Sequence, residues 1–133
     1  MPRLLSFVQR VALVATGPCP ACGARRSAPL CAACRGASGV GPVPRATELG
    51  DGRLLFLGAY RVPGAAPRRT PLGLALGNFK DRGDRYAGRC LARLLAEACA
   101  PVAAACDVVV PVPADGMRLR RRACSPSAWL ARA

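Results

Sequence analysis

The sequence predicts an α/β chain headed by a small cysteine-rich module. Eight cysteines occur in 133 residues, and four of them fall as two C-x2-C pairs between Cys19 and Cys34. Helical periodicity then appears twice, from Leu72 to Phe79 and from Ala87 to Cys99. A β-branched run, Asp107-Val108-Val109-Val110, follows the helices. Two helices ahead of a buried-type strand read as the opening of an α/β sheet.

Taken in order, the chain begins with a stretch that resembles a targeting segment only superficially. Arg3 precedes Leu4 and Leu5, but Gln9 and Arg10 break the apolar run. The remaining stretch, Val11 to Ala15, is too short for a signal core or a membrane span. Leu4, Leu5, Val8, Val11, Ala12 and Ala15 share one helical face, which predicts a short amphipathic helix over residues 1–18.

The next stretch, residues 19–36, reads Cys19-Pro20-Ala21-Cys22, eight residues, then Cys31-Ala32-Ala33-Cys34. Each C-x-x-C can turn two thiolates toward one point, and four thiolates at tetrahedral corners make a closed structural zinc site. Gly23 and Gly36 follow the two pairs and are placed to let the backbone bend toward the sulfurs. With no His and no carboxylate nearby, no position is reserved for water, so the zinc is read as structural. The segment is also too short and too poor in apolar residues to build a core of its own, and metal binding would supply folding free energy directly. The alternatives are two disulfides, four buried thiols, or a redox pair at Cys19 and Cys22.

Residues 37–52 read as a linker punctuated by glycine and proline. Arg53 to Tyr60 is a short apolar run that predicts a strand. Thr70-Pro71 is a helix cap followed by proline at the first helical position, and Leu72, Leu76 and Phe79 follow at helical spacing. Gly73 and Gly77 weaken that helix by about 1 kcal/mol each against alanine. Lys80 to Asp84 forms a charged break, with Asp84 placed to cap the next helix. In that helix Ala87, Leu91, Leu94, Leu95, Ala98 and Cys99 form the apolar face, and Arg85, Arg89, Arg93 and Glu97 the polar one. Pro101 is expected to end it. The strand expected at 107–110 stops at Pro111-Val112-Pro113, an arginine-rich loop follows, and Ser125-Pro126 opens a last helix. Cys90 and Cys99 read as small buried hydrophobes.

Formal net charge is +13, from 19 Arg and a single Lys, Lys80. Such a charge favours polyanions, although a lysine-poor, alanine-rich composition accounts for part of it. Aromatic residues are few, and no stacking platform for single strands is evident. The four unpaired cysteines and the metal-type spacing point to a reducing, cytoplasmic setting. In open α/β sheets ligands sit beyond the carboxyl ends of the strands. That makes the arginine-rich stretch behind Val110 a candidate phosphate site, through guanidinium forks and backbone amides. The alternative is a solvated basic loop.

Cys19 to Cys34, Tyr60, Phe79-Lys80-x-x-Gly83-Asp84, Asp107 to Pro113 and Arg118-Leu119-x-x-Arg122 occur in one order. Together they resemble the ComF (GntX) family of zinc-ribbon, phosphoribosyltransferase-like competence proteins. The resemblance implies a four-cysteine ribbon followed by the first half of a type I phosphoribosyltransferase-like fold over residues 53–133. It further implies that Arg118, Arg121 and Arg122 face the pyrophosphate side of the site, with Lys80 nearby. Its functional implication is natural competence and DNA uptake, with nucleic acid or competence-machinery proteins as partners.

Two departures qualify that implication. Arg122-Ala123-Cys124-Ser125-Pro126 stands where the family has Arg-Gly-Phe-Asn-Gln. The family's acidic pair followed by Thr-Thr-Gly, which cradles phosphoribosyl pyrophosphate, has no counterpart in these residues. The expectation is therefore an incomplete domain without transferase activity by itself, binding phosphoribosyl pyrophosphate only with the missing half. The competing expectation is a non-catalytic zinc-ribbon adaptor for nucleic acid or a protein partner.

Overall fold

Two capped helices form the centre of the molecule. The computed structural model describes residues 17–26, 28–50, 52–62, 64, 68–122 and 125–132. The helix expected over 1–18 falls outside them except for its last two positions. The elements are α1 (Ala32–Ala37), β1 (Arg45–Leu49), β2 (Gly52–Phe56), α2 (Pro71–Arg82), α3 (Arg85–Ala103), α4 (Gly116–Arg122) and α5 (Pro126–Arg132).

Helix α2 starts where the Thr70-Pro71 signal places it. The Thr70 hydroxyl accepts a hydrogen bond from the Gly73 amide at 3.1 Å and donates to the Ala59 carbonyl at 2.5 Å. The helix runs through the expected charged break to Arg82 and stops at Gly83, whose φ of +70° suits glycine. Asp84 then caps α3, its Oδ1 accepting from the amides of Tyr86 and Ala87 at 2.9 and 3.1 Å. The two helices bury Ala75, Phe79, Ala87 and Leu91, with Leu72, Leu76, Trp129 and Leu130 packed around them. Helix α5 lies against α3, and the Trp129 and Phe79 rings meet at 5.1 Å.

Gly73 costs helix propensity for a packing reason. A Cβ there would collide with the Tyr60 carbonyl, so glycine lets the first turn of α2 sit directly on the chain that precedes it.

Several expectations are corrected. Within the supposed linker, residues 45–49 form β1, which pairs antiparallel with β2 from Arg45↔Phe56 to Leu49↔Gly52. The strand expected over 53–60 ends at Phe56. This hairpin is the one sheet among the described residues. The run at 107–110 forms no strand: Val108, Val109 and Val110 are exposed, Val110 at 77 %. A buried β-branched strand needs neighbours to complete its ladder, and the described strands pair only with each other. Pro101 does not end α3, which continues to Ala103. It costs one hydrogen bond in an exposed last turn, where water can satisfy the freed carbonyl. The arginine-rich loop is the helix α4, with the Met117 amide bonded to Asp115 Oδ1 at 3.1 Å.

Among the described residues the fold is therefore mixed α/β, with one two-stranded antiparallel sheet and a four-cysteine cluster. No helix among the described residues is long and apolar enough to cross a membrane.

Candidate metal centre

Two tight turns build the cysteine cluster. In the first, the Gly23 amide donates to the Cys19 carbonyl and the Cys19 amide to the Ala24 carbonyl, both at 2.8 Å. Gly23 adopts φ +76°, which reverses the chain behind Cys22. In the second, Cys31 is the residue before α1, and the Arg35 amide donates to its carbonyl at 2.9 Å. Cys34 thus lies one helical turn beyond Cys31. Gly36 lies inside α1 and makes no reversal. Gly39, with φ +64°, turns the chain after the helix instead.

The ligand atoms of Cys19, Cys22, Cys31 and Cys34 all lie within 4.8 Å of one another, and Cys22 Sγ and Cys31 Sγ are 3.6 Å apart. A regular tetrahedron of sulfurs about 2.3 Å from zinc has edges of about 3.8 Å. The spacing and the all-sulfur donor set therefore suit a closed four-coordinate site for a thiophilic divalent ion. No disulfide joins any of these four cysteines, so none of their three possible two-disulfide pairings is formed.

Burial divides the four. Cys19 is 2 % exposed and Cys34 6 %, both in an apolar cluster with Leu30, Val40 and Leu94. Cys22 is exposed and Cys31 half-buried. Burial alone raises the Cys19 thiol, but hydrogen bonds from the Cys31, Ala21 and Cys22 backbone and from the Cys22 side chain bring it down to about 7. Cys34 moves the other way. Burial raises it, and bonds with the Cys31, Cys22 and Cys19 side chains and the charge on Cys19 raise it further. The cluster thus gives up its first proton readily and holds another tightly until a cation arrives.

Charge around the cluster is basic. Arg25, Arg26 and Arg35 line one cleft with Leu30 and Cys31, and the first acidic residue of the chain is Glu48. A divalent ion with four thiolates carries a formal charge of about −2, which these guanidinium groups offset.

One contact set was not legible in the sequence. Arg26 donates to Tyr86 Oη at 2.7 Å, to Cys90 Sγ at 2.9 Å, to the Pro18 carbonyl at 3.0 Å and to the Ala28 carbonyl. Tyr86 Oη in turn donates to the Pro18 carbonyl at 2.6 Å. The cysteine turns are thereby fastened to the first turns of α3, and Leu94 of α3 packs on Cys19 and Cys34 from below. Cys90 is buried, as expected, and its neighbour is a guanidinium group as well as apolar atoms. Cys99 is half-buried.

The expected phosphate residues fall elsewhere. Lys80 is half-buried in the last turn of α2. Arg118, Arg121 and Arg122 lie on α4, and their side chains are outside the described residues.

Comparison of the chain with protein-family models, with curated proteins and with solved structures finds no match.

Proposed function

We propose that Cys19, Cys22, Cys31 and Cys34 hold one zinc ion in a closed structural centre, and that this centre heads a ComF-like protein related to the phosphoribosyltransferases. The observation that supports the zinc is the convergence of four sulfurs within 4.8 Å at the spacing C-x2-C-x8-C-x2-C. The lineage is supported by the order of motifs from Cys19 to Arg122, and with it comes a role in competence and DNA uptake inside the cytoplasm. Arg118, Arg121, Arg122 and Lys80 are its pyrophosphate-facing residues by the same resemblance. No transferase step is assigned to this chain, because its sequence lacks Thr-Thr-Gly.

The test is metal content. Protein purified without chelator is expected to contain one zinc per chain, with the four cluster thiols protected from Ellman's reagent until the metal is removed. Metal-free protein whose eight thiols all react in native buffer would overturn the centre.

The adaptor reading is favoured by one specific feature, the cleft beside Cys31 lined by Arg25, Arg26 and Arg35 in a chain of net charge +13. It predicts sequence-blind DNA binding that weakens steeply between about 50 and 200 mM salt, because phosphate contacts release counterions. Affinity unchanged over that range rejects it.

A further inference from the structure

We infer that Cys22 and Cys31 form a peroxide-reactive dithiol whose oxidation expels the metal. This rests on the zinc centre proposed above. Cys19 and Cys34 are buried under Leu30 and Leu94, whereas Cys22 is exposed and Cys31 half-buried. Reagents therefore reach one side of the cluster. The two accessible sulfurs are themselves in contact, at 3.6 Å. The other sulfurs also touch one another, so it is access that singles out this pair. They come from different turns, so a bond between them ties the first turn to the second. A disulfide needs about 2.05 Å, so the two sulfurs, now 3.6 Å apart, must approach by about 1.5 Å. Beyond its chain neighbours, nothing lies within 4 Å of where a Cβ at Gly23 would stand, so the side of the turn next to Cys22 is open.

The chemistry balances with a hydroperoxide as the oxidant. The Cys22 thiolate attacks the peroxide oxygen. An S–O bond forms, the O–O bond breaks, and the distal oxygen leaves as hydroxide or alkoxide. The Cys31 thiolate then attacks the Cys22 sulfur. The S–S bond forms, the S–O bond breaks, and hydroxide leaves. Two electrons pass from the sulfur pair to the peroxide, and solvent protons neutralise the two departing anions. The metal is left with Cys19 and Cys34 and is no longer held by a complete tetrahedron.

Among the described residues the competing target is Cys106, exposed but outside the cluster. A thiol there would consume peroxide without touching the metal.

The experiment begins by measuring zinc, so that failure of the centre itself is seen before any oxidant is added. A metal-free preparation overturns the centre and this inference with it. Zinc-loaded protein and its Cys106→Ser variant are then treated with hydrogen peroxide. Zinc release is followed with a chromogenic chelator, thiols are counted after denaturation, and tryptic peptides are mapped. Both proteins are expected to release all their zinc and to lose about two thiols from the cluster. Trypsin cuts at Arg25 and Arg26, between the two cysteine pairs. A Cys22–Cys31 bond therefore appears as two peptides linked together, with fragmentation locating the link. Retained zinc with oxidation at Cys106 alone would overturn the inference. So would bonds within either pair, Cys19–Cys22 or Cys31–Cys34.

Discussion

Cys19 and Cys34 share one cluster yet hold their protons very differently, and this determines how metal uptake depends on pH. Zinc binds thiolates, so every proton still on a ligand must leave when the metal enters, and affinity rises with pH. Cys34, raised by burial and by its three sulfur neighbours, supplies a proton over the whole neutral range. Cys19, lowered to about 7, supplies almost none at pH 8 and nearly a full one at pH 6. The apparent affinity should therefore fall more steeply below pH 7 than above it, with nearly one additional proton released per zinc at pH 6 than at pH 8 on account of Cys19. Calorimetric titrations of zinc in buffers of different ionisation enthalpy, run at both pH values, count these protons directly. Equal proton release at pH 6 and pH 8 would show that the backbone bonds around Cys19 do not hold its thiolate. The position of the cluster was legible at this scale, because the ligands announce themselves by spacing alone. The inequality among them was not, since burial raises both thiols and only the folded turns decide that Cys19 receives the backbone amides while Cys34 receives sulfur neighbours.

At the scale of elements, the helix starts were legible and the strands were not. Thr70-Pro71, Asp84 and Ser125-Pro126 are local signals, satisfied by amides two or three residues away. A strand is specified by its partner. For β1 the clue in the sequence was the pair of glycines at 50 and 52 behind Leu49, since both strands are largely solvent-exposed and lack a buried alternating face. The valines at 108–110 carried the opposite trap: strong β propensity with no described strand alongside. The two caps also differ in a measurable way. Asp84→Ala removes a side-chain acceptor from a half-exposed site and should cost about 1 kcal/mol. Thr70→Ala removes a cap that is buried, and it also strips the Ala59 carbonyl of its hydroxyl donor, so about 2 kcal/mol is expected. Urea unfolding of the zinc-loaded variants gives the comparison. A Thr70→Ala cost no larger than that of Asp84→Ala would mean the Ala59 bond contributes nothing.

For the whole molecule, the central question is whether the cysteine module and the helices are separate units. The glycine- and proline-rich stretch between them suggests a flexible link, but the packing ties them together. Cys19, Leu30, Cys34 and Val40 form one apolar cluster with Leu94 of α3, and Leu72 of α2 touches both this cluster and the one beneath α5. Arg26 reaches across to Tyr86 and Cys90, and Ser38 Oγ accepts from the Leu72 amide at 2.9 Å. None of these contacts is local in sequence, so no pattern within either module could disclose them. Metal at the cluster should then stabilise α2 and α3 as well as its own turns, because the turns form the surface on which those helices close. Removing zinc with a chelator is expected to lower the melting temperature of the helical circular-dichroism signal, and in zinc-loaded protein the cluster thiols should become reactive in the same transition as the helices melt. Arg26→Ala in zinc-loaded protein should weaken this coupling, leaving the helices to melt before the metal is lost, since it deletes four bonds between the turns and α3 or the chain beside them. A helical signal whose melting is identical with and without zinc would show instead that the shared cluster is a contact between two independently stable parts.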